Sequence, residues 1–308
     1  MKAQLILAVA ATALAAPLAA QRPGAFLVEE TGESFDTLQD AVSAIGGRRG
    51  TIRIASGRYG DCAVQEAGEV AFVAEKQGTA VFDGGACEGK ATLVLRGRSA
   101  RVEGLVFTGI AVEDGNGAGI RIEQGDLHVS YTRFVDSQSG ILSARDPSRT
   151  ITVDHSTFSG LGENSEGVHS IYIGQYGALT VTNCRFERGT GGHYVKSRAP
   201  RIAVLGSSFD DSHGRATNYM IDLPDGAVGR IADNVFVQGK DKDNYSTLIA
   251  VAAEDKRSPS RGLIIEDNSA SVAPGFRGAT TFVRDWSGEP LIIRNNRLGS
   301  GITPFARQ

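Results

Sequence analysis

Residues 191–200 read GGHYVKSRAP and place His193, Tyr194, Lys196 and Arg198 within six positions. An imidazole and a phenol move protons near neutral pH, while an ammonium and a guanidinium hold anions. An alternating strand through this stretch would put Tyr194, Lys196 and Arg198 on one face. The same pattern also fits a polar outer strand face with no chemistry, where a Lys beside an Asp is an ordinary cross-strand pair. What decides between these readings is the object to which the strand belongs.

That object is a repeat. RVEGLVF ending at Phe107, HVSYTRF at Phe134, TVDHSTF at Phe158, TVTNCRF at Phe186, AVLGSSF at Phe209 and RIADNVF at Phe236 share one pattern, and degenerate copies end at Ala270 and Leu298. The spacings of 23 to 34 residues are uneven and show no 3.6 period, which excludes a helical solenoid. A single copy cannot bury its apolar side, so the copies must stack into a continuous core with the Phe residues as an internal ladder. A second column, GIRIE, GILSA, SIYIG, YVKSR, YMIDL and LIAVA, lies between the Phe copies and alternates with period two. Two or three short strands per turn, repeated eight to ten times, define an all-β parallel β-helix. Asn-Gly and Asp-Gly hairpin turns do not recur between the strands, which argues against a sandwich.

ESFDTLQDAVSAIGGRRGTIRIASGRYGD, residues 33–61, resembles the opening of pectin-lyase-like proteins: a short capping helix with Leu38, Ala41, Val42 and Ile45 on one face, then a strand and a G-x-Y turn. The resemblance is to bacterial, exported β-helix repeat proteins and implies a single right-handed coil over 21–308. It also implies that Cys62 and Cys87 lie one coil apart, where a disulfide can form, with Cys184 left as a small buried residue. The scaffold hosts lyases, hydrolases, esterases, epimerases and binding proteins, so it does not choose a chemistry. Paired catalytic Asp residues with a Gly-His-Gly segment, and the Gln-Asp pair of the methylesterases, are not found.

The second column stacks Tyr172, Lys196 and Asp222 on adjacent rungs about 4.8 Å apart. Ser170, Tyr194 and Met220 are expected beside them, Arg198 on the other side, and His169 and His193 at the start of their strands. Such a group suits a uronic-acid polymer. Arg198 would hold a carboxylate, and Lys196, beside Asp222, would stay charged as an electrostatic stabiliser. Tyr172 or His193 would take the proton from carbon 5, His193 being favoured by its near-neutral ordinary pKa. Tyr194 and His169 are expected to contact substrate. Elimination and carbon-5 epimerisation both start this way, and a carbohydrate-binding or envelope scaffold without catalysis is the rival reading.

Asp154 and His155, in VDHSTF, resemble the Asp-His pair of pectate lyases but fall in the turn of the Phe ladder and read as bend residues. Asn234, Asn268, Asn295 and Asn296 read as stacked bends too. EDGNG at 113–117 and KDKDN at 240–244 offer oxygens for calcium but read more simply as solvated loops; no other cofactor or metal is implied. The loops GLGENSEGVH, GKDKDNYS and AAEDKRSPSRG bracket the cluster and are expected to form cleft walls.

The first 20 residues carry one Lys, an apolar run and an Ala-rich end, the pattern of a signal peptide cleaved near Ala20 and of a periplasmic or secreted protein. The net charge of −3 becomes −4 without Lys2, far from the basic excess of a nucleic-acid binder. No later segment is a membrane span. An acidic polysaccharide is the expected partner of a monomer.

Overall fold

The computed structural model describes residues 24–163 and 167–308. The expected signal peptide, residues 1–20, lies outside the described residues, as does part of the loop at 161–169.

Each coil contributes three short strands, and each strand pairs in parallel with its counterpart one coil away. Three sheets result, of 12, 10 and 10 strands. The first sheet runs from Arg49–Ile54 to Ile292–Arg294, the second from Gly57–Tyr59 to Arg297–Leu298, and the third from Ala63–Gln65 to Ile302–Arg307. Two antiparallel strands, Phe26–Val28 and Glu33–Phe35, extend the first sheet at its N-terminal edge. The chain is a parallel β-solenoid, as the repeat requires.

The helix Leu38–Ile45 covers the open end of the first coil. Thr37 caps it by accepting a hydrogen bond from the Asp40 amide, satisfying one of the N–H groups a helix start leaves unpaired. Leu38, Ala41, Val42 and Ile45 are the buried face, as their spacing predicts.

The interior is built around the Phe column. Phe107, Phe134, Phe158, Phe186, Phe209 and Phe236 are in register across six strands of the second sheet, and their rings stack at 4.7–5.2 Å. Phe82 and Tyr59 extend the column toward the helix, and Ala270 and Leu298 continue its register beyond Phe236. Each offset ring pair adds about 0.5–1.5 kcal/mol beyond the area it buries.

A polar ladder turns the chain between the first two sheets. Tyr131, His155, Asn183, Asp233, Asp267 and Asn295 take left-handed backbone there, with φ between 45° and 59°. The residue after each faces the interior. Asn234 accepts from the Ser207 amide at 2.9 Å, Asn268 from the Asn234 amide at 3.0 Å, and Asn296 from the Asn268 amide at 3.0 Å. These bonds satisfy bend N–H groups that would otherwise be buried unpaired. Cys184 occupies the same column, buried, with its thiol pushed up to about 12 by burial. His155 is the bend residue of its coil, and Asp154, the last residue of the strand Asp146–Asp154, bonds to it at 2.7 Å.

Cys62 and Cys87 form a disulfide with Cα atoms 5.4 Å apart, closing a 25-residue separation. In the chain-entropy account a loop of that length is worth about 3 kcal/mol. Cys62→Ser/Cys87→Ser should therefore lose roughly that much unfolding free energy in a urea titration. A loss below about 1 kcal/mol would mean that this turn gains little from the bond.

Candidate functional site

The third sheet sets the three expected residues in one column: Tyr172 pairs with Lys196, and Lys196 with Asp222. Leu142 and Ala250 bound the column on the neighbouring rungs. The inward partners Ile171, Val195 and Ile221 are fully buried and anchor the strands.

The outward groups form one ionic cluster. Lys196 Nζ lies 3.2 Å from Asp222 Oδ2 and 3.0 Å from Glu254 Oε1. Arg198 donates to Asp225 and to Glu254, and its Nε donates to the Tyr172 phenol oxygen at 3.1 Å. The ammonium and guanidinium are 13% and 18% exposed, beneath Glu254 at 41%. Burial opposes the charge on Lys196, but Asp222 and Glu254 together outweigh it and hold the ammonium above its usual range.

Asp222 lies deeper. Burial pushes its carboxyl up to about 6, and Lys196 recovers only part of that penalty. Both shifts favour the protonated form, which is the charged one for Lys196 and the neutral one for Asp222, because Lys196 has a second carboxylate and, among the described residues, Asp222 ion-pairs with no second Lys or Arg. Among the described residues, Asp222 Oδ1 and Asp225 Oδ2 are buried without a hydrogen-bond partner.

This makes a pH prediction. A carboxyl whose folded pKa is raised contributes stability that is complete below its ordinary 3.8 and is lost as pH rises through about 6. Asp222→Asn stays neutral throughout. The stability of the variant minus that of wild type should grow between about pH 4 and pH 7 in thermal melts and then level off. A difference that does not change over that range would show that Asp222 ionises normally.

Three expectations, those for Tyr194, His193 and His169, need correction. Tyr194 does not join the exposed face: it is 2% exposed and its hydroxyl donates to Asp211 Oδ1 at 2.6 Å. The strand spans only Val195–Ser197, so alternation does not extend back to Tyr194. Ser170 and Met220, at the equivalent positions, are buried as well. His193 is also enclosed. Its Nδ1 is 3.3 Å from His169 Nδ1, its Nε2 is 3.5 Å from Asp222 Oδ2, and Tyr219 packs on its ring. Burial drives His193 well below its usual range and His169 down to about 3. Both imidazoles are therefore neutral at pH 7, and neither is open to a polymer. They support Tyr172, whose ring meets His169 edge-on at 5.3 Å.

Glu254, Asp225 and Tyr219 join the site without having been expected there. Glu254 has a partial signal in the sequence, since AAEDKRSPSRG is the segment expected to wall the cluster. A further unexpected group lies under the site. Lys242, from the KDKDN segment expected to be a solvated loop, has a fully buried side chain paired with Asp211 at 2.9 Å. Thr217 Oγ1 donates to the same Asp211 oxygen at 2.8 Å, and Tyr194 OH completes the carboxylate's partners. This network pins the approach to Val195–Ser197 from below.

Among the described residues, no three His, Cys, Asp or Glu side chains gather so as to hold a metal ion. In EDGNG, Asp114 instead accepts from the Asn116 amide at 2.9 Å. No helix among the described residues is long and apolar enough to cross a membrane.

A hollow of about 180 Å³ adjoins Arg198, lined also by Pro147, Tyr176, Asp225 and Arg257. A larger depression, about 540 Å³, lies on the first sheet around Arg101 and His128, away from the ionic cluster. The hollow at Arg198 is the one that bears on the cluster, because there open space meets one of its two cations.

No family of known sequences matches the chain, and no curated protein matches it. Some solved structures are similar to the chain at low identity. A protein of Geobacillus virus E2 is 17% identical over 88% of this chain, with a TM-score of 0.49. The chain spans 56% of the length of that viral protein. A pectin methylesterase in complex with a hexasaccharide is 14% identical, with 89% of this chain and 78% of that one covered and a TM-score of 0.39. A Streptococcus pneumoniae surface protein and adhesin is 10% identical, with 88% and 94% covered and a TM-score of 0.32. All three TM-scores are below 0.5, and no property of these proteins is carried over to this chain.

Proposed function

We propose that this protein is exported and engages a uronic-acid polysaccharide across the third-sheet face at Tyr172, Lys196 and Arg198, and that it cleaves the polymer by β-elimination. The observation that carries the reading is the position of Glu254. One carboxylate bridges Lys196 and Arg198 next to the Tyr172 phenol, so the two cations are spaced to hold a carboxylate between them. A uronate carboxylate in that position would have its charge neutralised by Lys196 and Arg198, which acidifies the proton on carbon 5.

Tyr172 is the group within reach to remove that proton. As the base it acts as the phenolate, its own proton given up to solvent before the step; Arg198 Nε donates to this oxygen, so that negative charge faces a guanidinium until the carbon 5 proton neutralises it. The electron pair from the carbon 5–hydrogen bond forms the carbon 4–5 double bond, and the bond from carbon 4 to the glycosidic oxygen breaks. The departing oxygen takes a proton, which the same phenol can return. Asp222 keeps Lys196 in place and does not contact the polymer. Epimerisation shares the first step and differs in the face that is reprotonated.

Binding without turnover is the second reading, favoured by one observation: both cations are already paired with carboxylates of the chain itself. Ultraviolet absorbance of the new double bond separates the readings. Calorimetric binding to the same polymers with no absorbance change would move the conclusion to a carbohydrate-binding protein.

A further inference from the structure

We infer that Lys196 and Arg198 form a carboxylate subsite that Glu254 occupies in the resting protein, and that the Glu254 side chain must swing away before a polyuronate can bind. This rests on the proposed reading and adds its regulation.

Three observations lead to it. First, the geometry is that of an occupied subsite: the two Glu254 oxygens divide between Lys196 Nζ and Arg198 Nη2, one cation each. Second, Glu254 lies outermost. Its side chain is 41% exposed over cations exposed by 13% and 18%, and residues 253–257 around it are exposed. The deeper carboxylates Asp222 and Asp225, at 4% and 1%, remain on the same two cations from beneath when Glu254 is removed. Third, the charges do not balance with Glu254 in place. Two cations face three carboxylates, a surplus of one negative charge that repels a polyanion; without Glu254 the count is two against two.

The segment is anchored by its backbone, and only the exposed side chain has to exchange. The Glu254 amide donates to Pro224 O at 3.0 Å and the Ser258 amide to Asp225 O at 2.8 Å, with residues 255–257 between them exposed. The side chain of Glu254 can rotate outward while both backbone bonds persist. A substrate carboxylate then takes the same two donors, and its sugar ring has the hollow beside Arg198 to enter.

The test is titration calorimetry of wild type, Glu254→Gln and Glu254→Ala with polygalacturonate, alginate and hyaluronan, at fixed low salt. If the competent state is about a tenth of the resting population, removing the internal carboxylate raises apparent affinity roughly tenfold. Adding Arg198→Met to Glu254→Gln should abolish that gain. Equal binding by wild type and both Glu254 variants would overturn the gating role while leaving the binding reading intact. Absence of binding by any of the three on every polymer would overturn both, because a vacated subsite would then have refused its carboxylate. Thermal melts of each variant establish that a loss of binding is not a loss of folding.

Discussion

Lys242→Met will lower the unfolding free energy by about 3–5 kcal/mol, the range for breaking a buried ion pair from one side. The change removes an ammonium and keeps a similar volume, so packing is not what fails. Asp211 is left fully buried with a carboxylate and no cation, retaining only the hydroxyls of Tyr194 and Thr217. Burial pulls Lys242 below its usual range even with Asp211 in contact, which indicates how little solvent reaches the pair. Asp211→Asn in the same chain should restore much of the loss, since a neutral amide carries no charge to strand. Denaturant titration at neutral pH reads both changes. A single-variant loss under about 1 kcal/mol would mean that Asp211 takes up a proton or water in place of Lys242.

The consequence extends to the site. Tyr194 OH accepts from the Gly189 amide at 3.1 Å while donating to Asp211, which ties the turn before Val195–Ser197 to the buried pair. Loosening that tie shifts the strand from which Lys196 and Arg198 project.

The coil is legible in the sequence because its causes are local and periodic. A Phe on seven of the ten second-sheet strands and alternating Ile and Val in the third column face inward, and their register can be read by counting. The Asn bends are legible for a related reason: left-handed backbone favours short polar residues such as Asp233, Asp267 and Asn295, and the Asn after each accepts from an amide of the preceding coil. The Tyr172–Lys196–Asp222 column follows from the same register.

What the sequence hides depends on loops, whose path is not periodic. KDKDN has the composition of a solvated segment, yet the chain turns Lys242 inward to an Asp 31 positions earlier. Glu254 reaches Lys196 across 58 positions and has no pattern linking it to that strand. Tyr194 misleads because alternation runs one residue beyond a strand only three residues long. His193 misleads through its ordinary pKa; enclosure by His169, Tyr219 and Asp222 is a property of three separate loops and strands.

Tyr172→Phe should reduce polymer cleavage by about 10²–10⁴-fold, the usual contribution of a positioned proton-transfer group. The substitution removes one oxygen and leaves the ring against His169, so stability should change little. Arg198 loses one acceptor but keeps Asp225 and Glu254, and binding affinity should fall less than rate. A mere structural role would move both together or neither.

The measurement that tests the central claim most directly is the ultraviolet absorbance of the carbon 4–5 double bond, followed on a panel of polyuronates and glycosaminoglycans. It would compare wild type, Glu254→Gln and Tyr172→Phe, each with and without calcium. Absorbance should rise on at least one polymer, faster with Glu254→Gln and by at least about 100-fold more slowly with Tyr172→Phe. A flat trace from wild type and Glu254→Gln on every polymer, or an equal rate from Tyr172→Phe, would contradict elimination at this site.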